Sequence, residues 1–176
     1  MKKTFLLLIL LLSITYLVKI NKVESQYVTI PNEAIRLRVI ANSNSDQDQK
    51  IKMKLSIKIQ SKIQELLSNV KDINEARTII KENLSTLNDY VETVLKENNC
   101  HEKYTLFFGN NFFPEKKYND VIYKKGYYES LVITLGKGTG NNWWCVLFPP
   151  LCLMEAEESD NIEYKFFVKE LIDKYF

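Results

Sequence analysis

The stretch Asn141-Asn142-Trp143-Trp144-Cys145-Val146-Leu147-Phe148-Pro149-Pro150-Leu151-Cys152 is the most informative part of this sequence. It contains both tryptophans, two of the three cysteines and two of the four prolines. Its aromatic and β-branched residues predict a strand over residues 143–148. Because side chains alternate between the faces of a strand, one tryptophan is expected in the core and the other at the surface. The exposed tryptophan, Trp143 or Trp144, is a candidate anchor for a protein partner.

Three more strands are predicted before this one, over residues 104–108, 121–123 and 131–135, from the same residue types. Turn residues separate them at Gly109-Asn110, Asn119-Asp120, Lys125-Gly126 and 136–142. The run Gly136-Lys137-Gly138-Thr139-Gly140 has a lysine among glycines, as phosphate-binding loops do. Aromatic strand residues follow it instead of a helix, so a hairpin turn with left-handed glycines is predicted.

A long helix is predicted upstream of these strands. Ser45 and Asp48 have capping-box spacing, and apolar residues then recur every fourth position from Ile51 to Leu67. Alternation through Met53 and other apolar residues also fits a strand. About twenty residues without glycine or proline, together with the cap, favour the helix.

A second helical stretch is predicted to begin at Asp72, which pairs with Glu75 as a second capping signal. Its apolar stripe continues to Asn98, with a bend expected near Asn83 and Ser85.

The first strand is predicted where Ile35, Leu37 and Val39 alternate with Arg36, Arg38 and Ile40. This pattern is typical of a strand with one buried face. The fold class is therefore predicted as α+β: an N-terminal strand, two helices, then an antiparallel β-meander packed on the helices.

The N-terminus has the pattern of an export signal. Lys2-Lys3 precedes an apolar stretch over residues 5–18, which is shorter than the roughly 20 residues of a membrane span. Residues 1–25 are predicted as a cleaved signal peptide or, if the apolar segment extends to Ile20, as an N-terminal membrane anchor. A single domain is expected over residues 30–154, followed by an acidic link and a C-terminal helix over 155–176.

The charge of the chain argues against nucleic-acid binding. Residues 1–25 contain four lysines and one glutamate, so without them the net charge of +2 becomes about −1. Nucleic-acid phosphates select a clustered cationic surface, so no nucleic-acid partner is expected.

Two blocks of sequence carry a family resemblance. The first is the opening stretch with its preceding Gly138 and Gly140, and the second is residues 30–43, followed by Asp48-Gln49. Both are similar to the corresponding motifs of the stage II sporulation protein R family. The resemblance covers residues 30–154 and is specific in its tryptophan, cysteine and proline pattern.

The resemblance implies an intercellular signal with no enzymatic activity and no cofactor. Such a protein is exported across the forespore membrane to the intermembrane space, secreted or N-terminally anchored. Its implied partner is a membrane-embedded aspartic-type sporulation protease, which then processes a mother-cell sigma-factor precursor. An exported wall-binding or lipid-binding module is the other non-enzymatic alternative.

A stripe of lysines on the first predicted helix is a second candidate partner-binding surface. Lys50, Lys54 and Lys58 recur at a four-residue step beside the apolar stripe. A solvated helix face is the default interpretation. The functional alternative is contact with an acidic partner surface.

The cysteines leave two questions open. Cys145 and Cys152 are a candidate disulfide if the chain reverses at Pro149-Pro150, but an extended segment would keep the sulfurs apart. Two free apolar thiols packed near the tryptophans are favoured here. Cys100 beside His101 suggests an exported wall-acting or thiol-acting enzyme, although sequence neighbours usually point apart and no third orienting group is identifiable.

No metal site is expected. Asn42, Asn44, Asp46 and Asp48 alternate like calcium ligands, yet the glycine and glutamate of a calcium loop are missing in either register. Helix capping explains the same residues.

Overall fold

The computed structural model describes residues 28–30, 32–118, 121–151, 170 and 172–175. Its strands and helices follow one another in this order: β1 (Val28–Thr29), β2 (Ile35–Ile40), α1 (Asp46–Leu67), α2 (Ile73–Glu82), α3 (Leu84–Glu97), β3 (Tyr104–Phe113), β4 (Lys116–Tyr118), β5 (Val121–Tyr123), β6 (Gly126–Leu135) and β7 (Asn142–Phe148).

The main sheet has four strands in the order β3-β6-β2-β7. Strand β2 pairs parallel with β6 and antiparallel with β7, while β3 and β6 are antiparallel. The predicted α+β class is therefore confirmed, with the first strand inserted between two later ones to make a mixed sheet. A second sheet, in the order β1-β5-β4, is built from short strands.

The core lies between one face of the main sheet and the three helices. It includes Leu37 and Val39 of β2, Ile133 of β6, Ile59 of α1 and Val91 of α3, all with no exposed surface. The apolar stripes of the helices and alternate residues of the strands thus meet in one layer.

Helices α1 and α2 begin where the capping signals predicted. The Ser45 hydroxyl accepts a hydrogen bond from the Asp48 amide at 3.2 Å. The Asp72 carboxylate accepts from the amides of Asn74 and Glu75 at 2.8 and 3.0 Å. The expected bend falls at Asn83, but it is a break: the second predicted helix is two helices, α2 and α3, on either side of this residue.

Helix α1 also resolves the ambiguous periodicity. Leu55, Ile59 and Ile63 are fully buried, whereas Met53 and Ile57 are 39% and 58% exposed. A strand would have placed all of these residues on one face, so the four-residue step was the correct signal.

One predicted turn is wrong. Strand β3 continues through Gly109 and Asn110 to Phe113, pairing with β6 along its whole length. At Gly109 a Cβ would lie 2.8 Å from the ring of Phe107, so the glycine provides room for that ring rather than a turn.

The ends of the chain are described only in part. The predicted N-terminal segment and acidic link lie outside the described residues, whereas residues 172–175 are helical. The Tyr175 ring packs edge-on against Phe148 at 4.9 Å. In the part of the chain that is described, no helix is long and apolar enough to cross a membrane.

Candidate functional site

Strand β2 divides its side chains between two environments. Leu37 and Val39 enter the core beneath the helices, so Arg36 and Arg38 project from the opposite side, here called the outer face. In the sheet register Arg38 lies between Val132 of β6 and Trp144 of β7. The outer face therefore places arginine beside tryptophan at the centre of the sheet.

Arg36 is buried although it belongs to this outer face. Only 2% of the residue is exposed, and its guanidinium carbon lies 3.4 Å from the centroid of the Tyr128 ring. The rings of Phe113 and Tyr123 are at 5.3 and 5.7 Å. Strand β5 carries Tyr123, so an element from outside the main sheet helps to enclose the arginine. The sequence-based expectation of a single buried face is thus wrong at Arg36.

The charge of Arg36 has no carboxylate partner among the described residues, whose ion pairs all involve other side chains. Burial lowers the pKa of Arg36, while the interactions with Tyr128 and Tyr123 raise it. An arginine has so high an ordinary pKa that it remains protonated. Its Nε and Nη2 atoms are buried without a hydrogen-bond partner.

Arg38 and Trp144 also have hydrogen-bond donors that lack acceptors. Arg38 donates from Nη1 to the Phe112 carbonyl at 3.3 Å, but its Nε and the indole Nε1 of Trp144 are also buried without partners. Burial lowers the pKa of Arg38 as well. Both side chains contact the Phe113 ring, Arg38 at 5.0 Å and Trp144 edge-on at 5.5 Å.

A cavity of about 20 Å³ lies at this position. It is here called the arginine pocket, and its lining includes Arg36, Phe113, Lys116, Tyr123, Trp144 and Val146. The exposed ammonium of Lys116 lies 5.4 Å from the Trp144 ring. The pocket therefore combines cationic groups, aromatic rings and unpartnered donors.

The two tryptophans face opposite sides, as strand alternation predicts. Trp143 packs against the core on the helix side, whereas Trp144 lines the arginine pocket. A role for either residue in partner binding stays a prediction.

The loop before β7 is locked to the loop after β2. Gly136 and Gly138 have φ angles of 52° and 63°, which confirms the predicted left-handed glycines. The predicted hairpin is wrong, because β2 lies between β6 and β7 and the loop crosses from one side of β2 to the other. The Lys137 amide donates to the Asn42 side-chain oxygen at 2.9 Å, and a Cβ at Gly140 would collide with the Ser43 carbonyl. The two sequence blocks that carry the family resemblance thus lie side by side in β2, β7 and these loops.

The first turn of α1 ties this loop pair to the helix. The Asp48 carboxylate accepts hydrogen bonds from the Ser43 hydroxyl at 2.5 Å and from the Asn42 amide at 3.2 Å. Lys52 is buried and donates to Gln49 at 2.6 Å and to the Asn141 carbonyl at 3.4 Å. Three of the polar residues weighed as calcium ligands, Asn42, Asn44 and Asp48, therefore act in capping and loop closure. No group of candidate metal ligands occurs among the described residues.

Asp48 makes stability depend on acid pH. The Ser43 hydrogen bond is the main cause of the lowered pKa of Asp48. A carboxylate whose pKa falls on folding stabilises the fold above its ordinary pKa of 3.8. This contribution is lost as the pH falls through the lowered value. Asp48→Asn is expected to reduce stability at neutral pH and to weaken the acid dependence, measured by urea unfolding at several pH values. Asp46→Asn, in the same turn, is the matched control and should retain that dependence.

Two of the three candidate lysines in the stripe make contacts within the protein. Lys58 forms an ion pair with Glu97 at 3.0 Å, and Lys54 donates to the Asn98 side chain at 2.9 Å. Both contacts join α1 to the end of α3. Lys50 is exposed in the first turns of α1. Of the three candidate lysines, it best fits the hypothesis of a surface for an acidic partner.

The cysteines differ in state. Cys145 is disulfide-bonded, so the favoured expectation of a free thiol is wrong at this position. Cys152 lies outside the described residues, and its pairing with Cys145 stays a prediction. Cys100 is free and packs partly against the core, while His101 is exposed.

The site residues that the sequence pattern did not indicate are Arg36 and Arg38. Their alternation was visible, but it predicted arginines directed toward solvent. The aromatic residues in 104–128 could have indicated this site, since guanidinium groups stack on aromatic rings.

Fold and pocket together define a small α+β protein with a cationic, aromatic pocket on one sheet face. Residues 31–158 match the family described as Stage II sporulation protein R. The chain is 37% identical over 143 residues to "Stage II sporulation protein R" of Bacillus subtilis (strain 168). That match covers 81% of this chain and 64% of the relative. No solved structure matches. The chain belongs to the stage II sporulation protein R family.

Proposed function

We propose that this chain is an exported intercellular sporulation signal. It activates a membrane-embedded aspartic-type protease, which then processes the precursor of a mother-cell sigma factor. The match to the stage II sporulation protein R family over residues 31–158 carries the proposal. The family description names a sporulation protein and no reaction, which supports a signal more than an enzyme.

The proposed location is the intermembrane space, reached by export across the forespore membrane. Lys2-Lys3 and the apolar residues 5–18 support export. The chain would then be secreted or remain N-terminally anchored.

A reconstituted system tests the proposal. Cells that lack sporulation genes would produce the exported chain, the protease and the sigma-factor precursor, and processing would be followed by immunoblot. Processing is expected only when all components are present and the chain is exported. Equal processing with and without the chain would overturn the proposal.

Removal of Cys100 and His101 is expected to leave signalling intact. Cys100 packs partly in the core and His101 is exposed, and neither belongs to the arginine pocket. The double variant Cys100→Ala, His101→Ala should therefore support normal precursor processing at normal secretion. Loss of processing in a folded, secreted double variant would instead favour the thiol-enzyme alternative.

Lys50→Glu tests the proposed electrostatic contact. Lys54 and Lys58 contact the end of α3, so changing them also alters contacts between helices. Lys50 lies outside those contacts. If the partner surface is acidic, Lys50→Glu should weaken binding to the protease ectodomain, and more so at low salt. Lys71→Glu, an exposed change beyond the end of α1, is the charge-matched control. Unchanged binding at every salt concentration would contradict the contact.

A further inference from the structure

The arginine pocket has donors but lacks acceptors for them. Three buried nitrogens of its lining residues have no hydrogen-bond partner, namely Nε and Nη2 of Arg36 and Nε1 of Trp144, and Nε of Arg38 beside the pocket is a fourth. Buried polar groups are nearly always hydrogen-bonded in folded proteins. Four unpartnered N–H donors around the Phe113 ring therefore indicate that a hydrogen-bond acceptor is missing.

The chemistry of that acceptor follows from Arg36. Nε and Nη2 lie on the same edge of a guanidinium group, the edge that donates two parallel hydrogen bonds to one carboxylate. Water has only two acceptor lone pairs and no charge, whereas a carboxylate offers about four acceptor positions and a negative charge. A carboxylate thus satisfies both the donors and the uncompensated cation.

Charge around the pocket favours the same ligand. Arg38 and the exposed Lys116 add positive charge near Arg36, and both contact rings of the pocket. No described acidic side chain pairs with any of these three cations.

We propose that the arginine pocket binds the carboxylate of an aspartate or glutamate side chain in an acidic segment of a protein partner. Arg36 receives the carboxylate through Nε and Nη2, Trp144 donates from its indole nitrogen, and Arg38 with Lys116 supplies the attracting field. Because the cavity is small, the side chains of Lys116 and Tyr123 move aside when the ligand enters. The identity of the partner as a signalling target rests on the proposed function, whereas carboxylate binding does not.

The side-chain N–H signals in NMR spectra provide a direct test. The chain has three arginines and two tryptophans, so few signals report on the pocket. The full-length chain in neutral detergent would be titrated with the peptide acetyl-Gly-Glu-Gly-amide. Signals of Arg36 Nε and Trp144 Nε1 are expected to shift.

Internal controls come from the same spectra. Arg77 already donates from Nε to Glu129 at 2.8 Å, and Trp143 faces the core, so their signals should remain in place. The peptide acetyl-Gly-Gln-Gly-amide has the same shape without the charge and should bind at least tenfold more weakly. Equal shifts with both peptides, or no shift with either, would overturn the proposal.

Two variants separate binding from folding. Trp144→Phe retains a ring against Phe113 but removes the indole donor, and it should reduce affinity for the glutamate peptide by about tenfold. A variant with glutamines in place of Glu155, Glu157 and Glu158 tests whether the chain's own acidic stretch occupies the pocket. Unchanged peptide affinity in this variant supports an external partner. Tighter peptide binding would mean that the chain itself supplies the acid and would overturn the assignment to a partner.

Discussion

Trp143→Ala is expected to lower the free energy of unfolding by about 3 kcal/mol, at the lower end of the range for Trp→Ala because Trp143 is only partly buried. Trp144→Ala is expected to lower it by less, about 1 to 2 kcal/mol, although Trp144 is also partly buried. The Trp144 ring contributes roughly 0.5 to 1.5 kcal/mol through Phe113. This pair energy adds to the apolar burial of the ring, while removal of its buried, unpartnered N–H returns about 1 to 3 kcal/mol. The net loss is therefore smaller than for Trp143→Ala.

The two variants should separate in activity as well. Trp144→Ala alters the arginine pocket and should reduce precursor processing while the protein remains folded, whereas Trp143→Ala should lose activity only as far as it unfolds. Urea unfolding and the processing assay would be measured on both proteins. Equal destabilisation, with activity following stability in each case, would show that the Trp-Trp pair is purely structural.

Local signals explain why the helices were predictable. Ser45 and Asp72 cap their helices with their own side chains, and such contacts span only two or three residues. The break at Asn83 is local too. Each of these features depends on neighbours in sequence, which a single sequence displays directly.

Strand pairing is not local, and here the sequence was less informative. Strand β2 pairs with β6, about ninety residues later, through Leu37 and Leu131. Nothing in the alternating pattern of β2 specifies two neighbours rather than one. The antiparallel order expected for the later strands therefore did not reveal that β2 lies between β6 and β7.

The candidate site depends both on local sequence patterns and on non-local packing. The alternation of Trp143 and Trp144 gave their opposite faces correctly. The burial of Arg36 was hidden because Tyr123 and Tyr128, which enclose its guanidinium, belong to β5 and β6. An arginine in an alternating strand predicts a solvent-facing position unless the element that covers it is known.

Arg36→Met is expected to reduce precursor processing at least tenfold without loss of stability. The guanidinium carries a buried charge, whose desolvation opposes folding by several kcal/mol, and two orphan donors. Stacking on Tyr128 returns about 2 kcal/mol. Because the opposing terms are larger, the free energy of unfolding should stay constant or rise by roughly 1 to 2 kcal/mol.

A stability gain together with an activity loss would identify Arg36 as a residue retained for binding. Loss of a charge-assisted bidentate contact weakens binding by about ten- to a hundredfold. Arg36→Lys is the control, since it preserves the charge but not the two parallel donors and should restore only part of the processing. An unfolded Arg36→Met protein would show that the cation supports the fold, because stacking on Tyr128 would then outweigh desolvation. A folded Arg36→Met variant with full processing would show that signalling does not need the arginine pocket. The peptide titration would then still decide whether the pocket binds carboxylates.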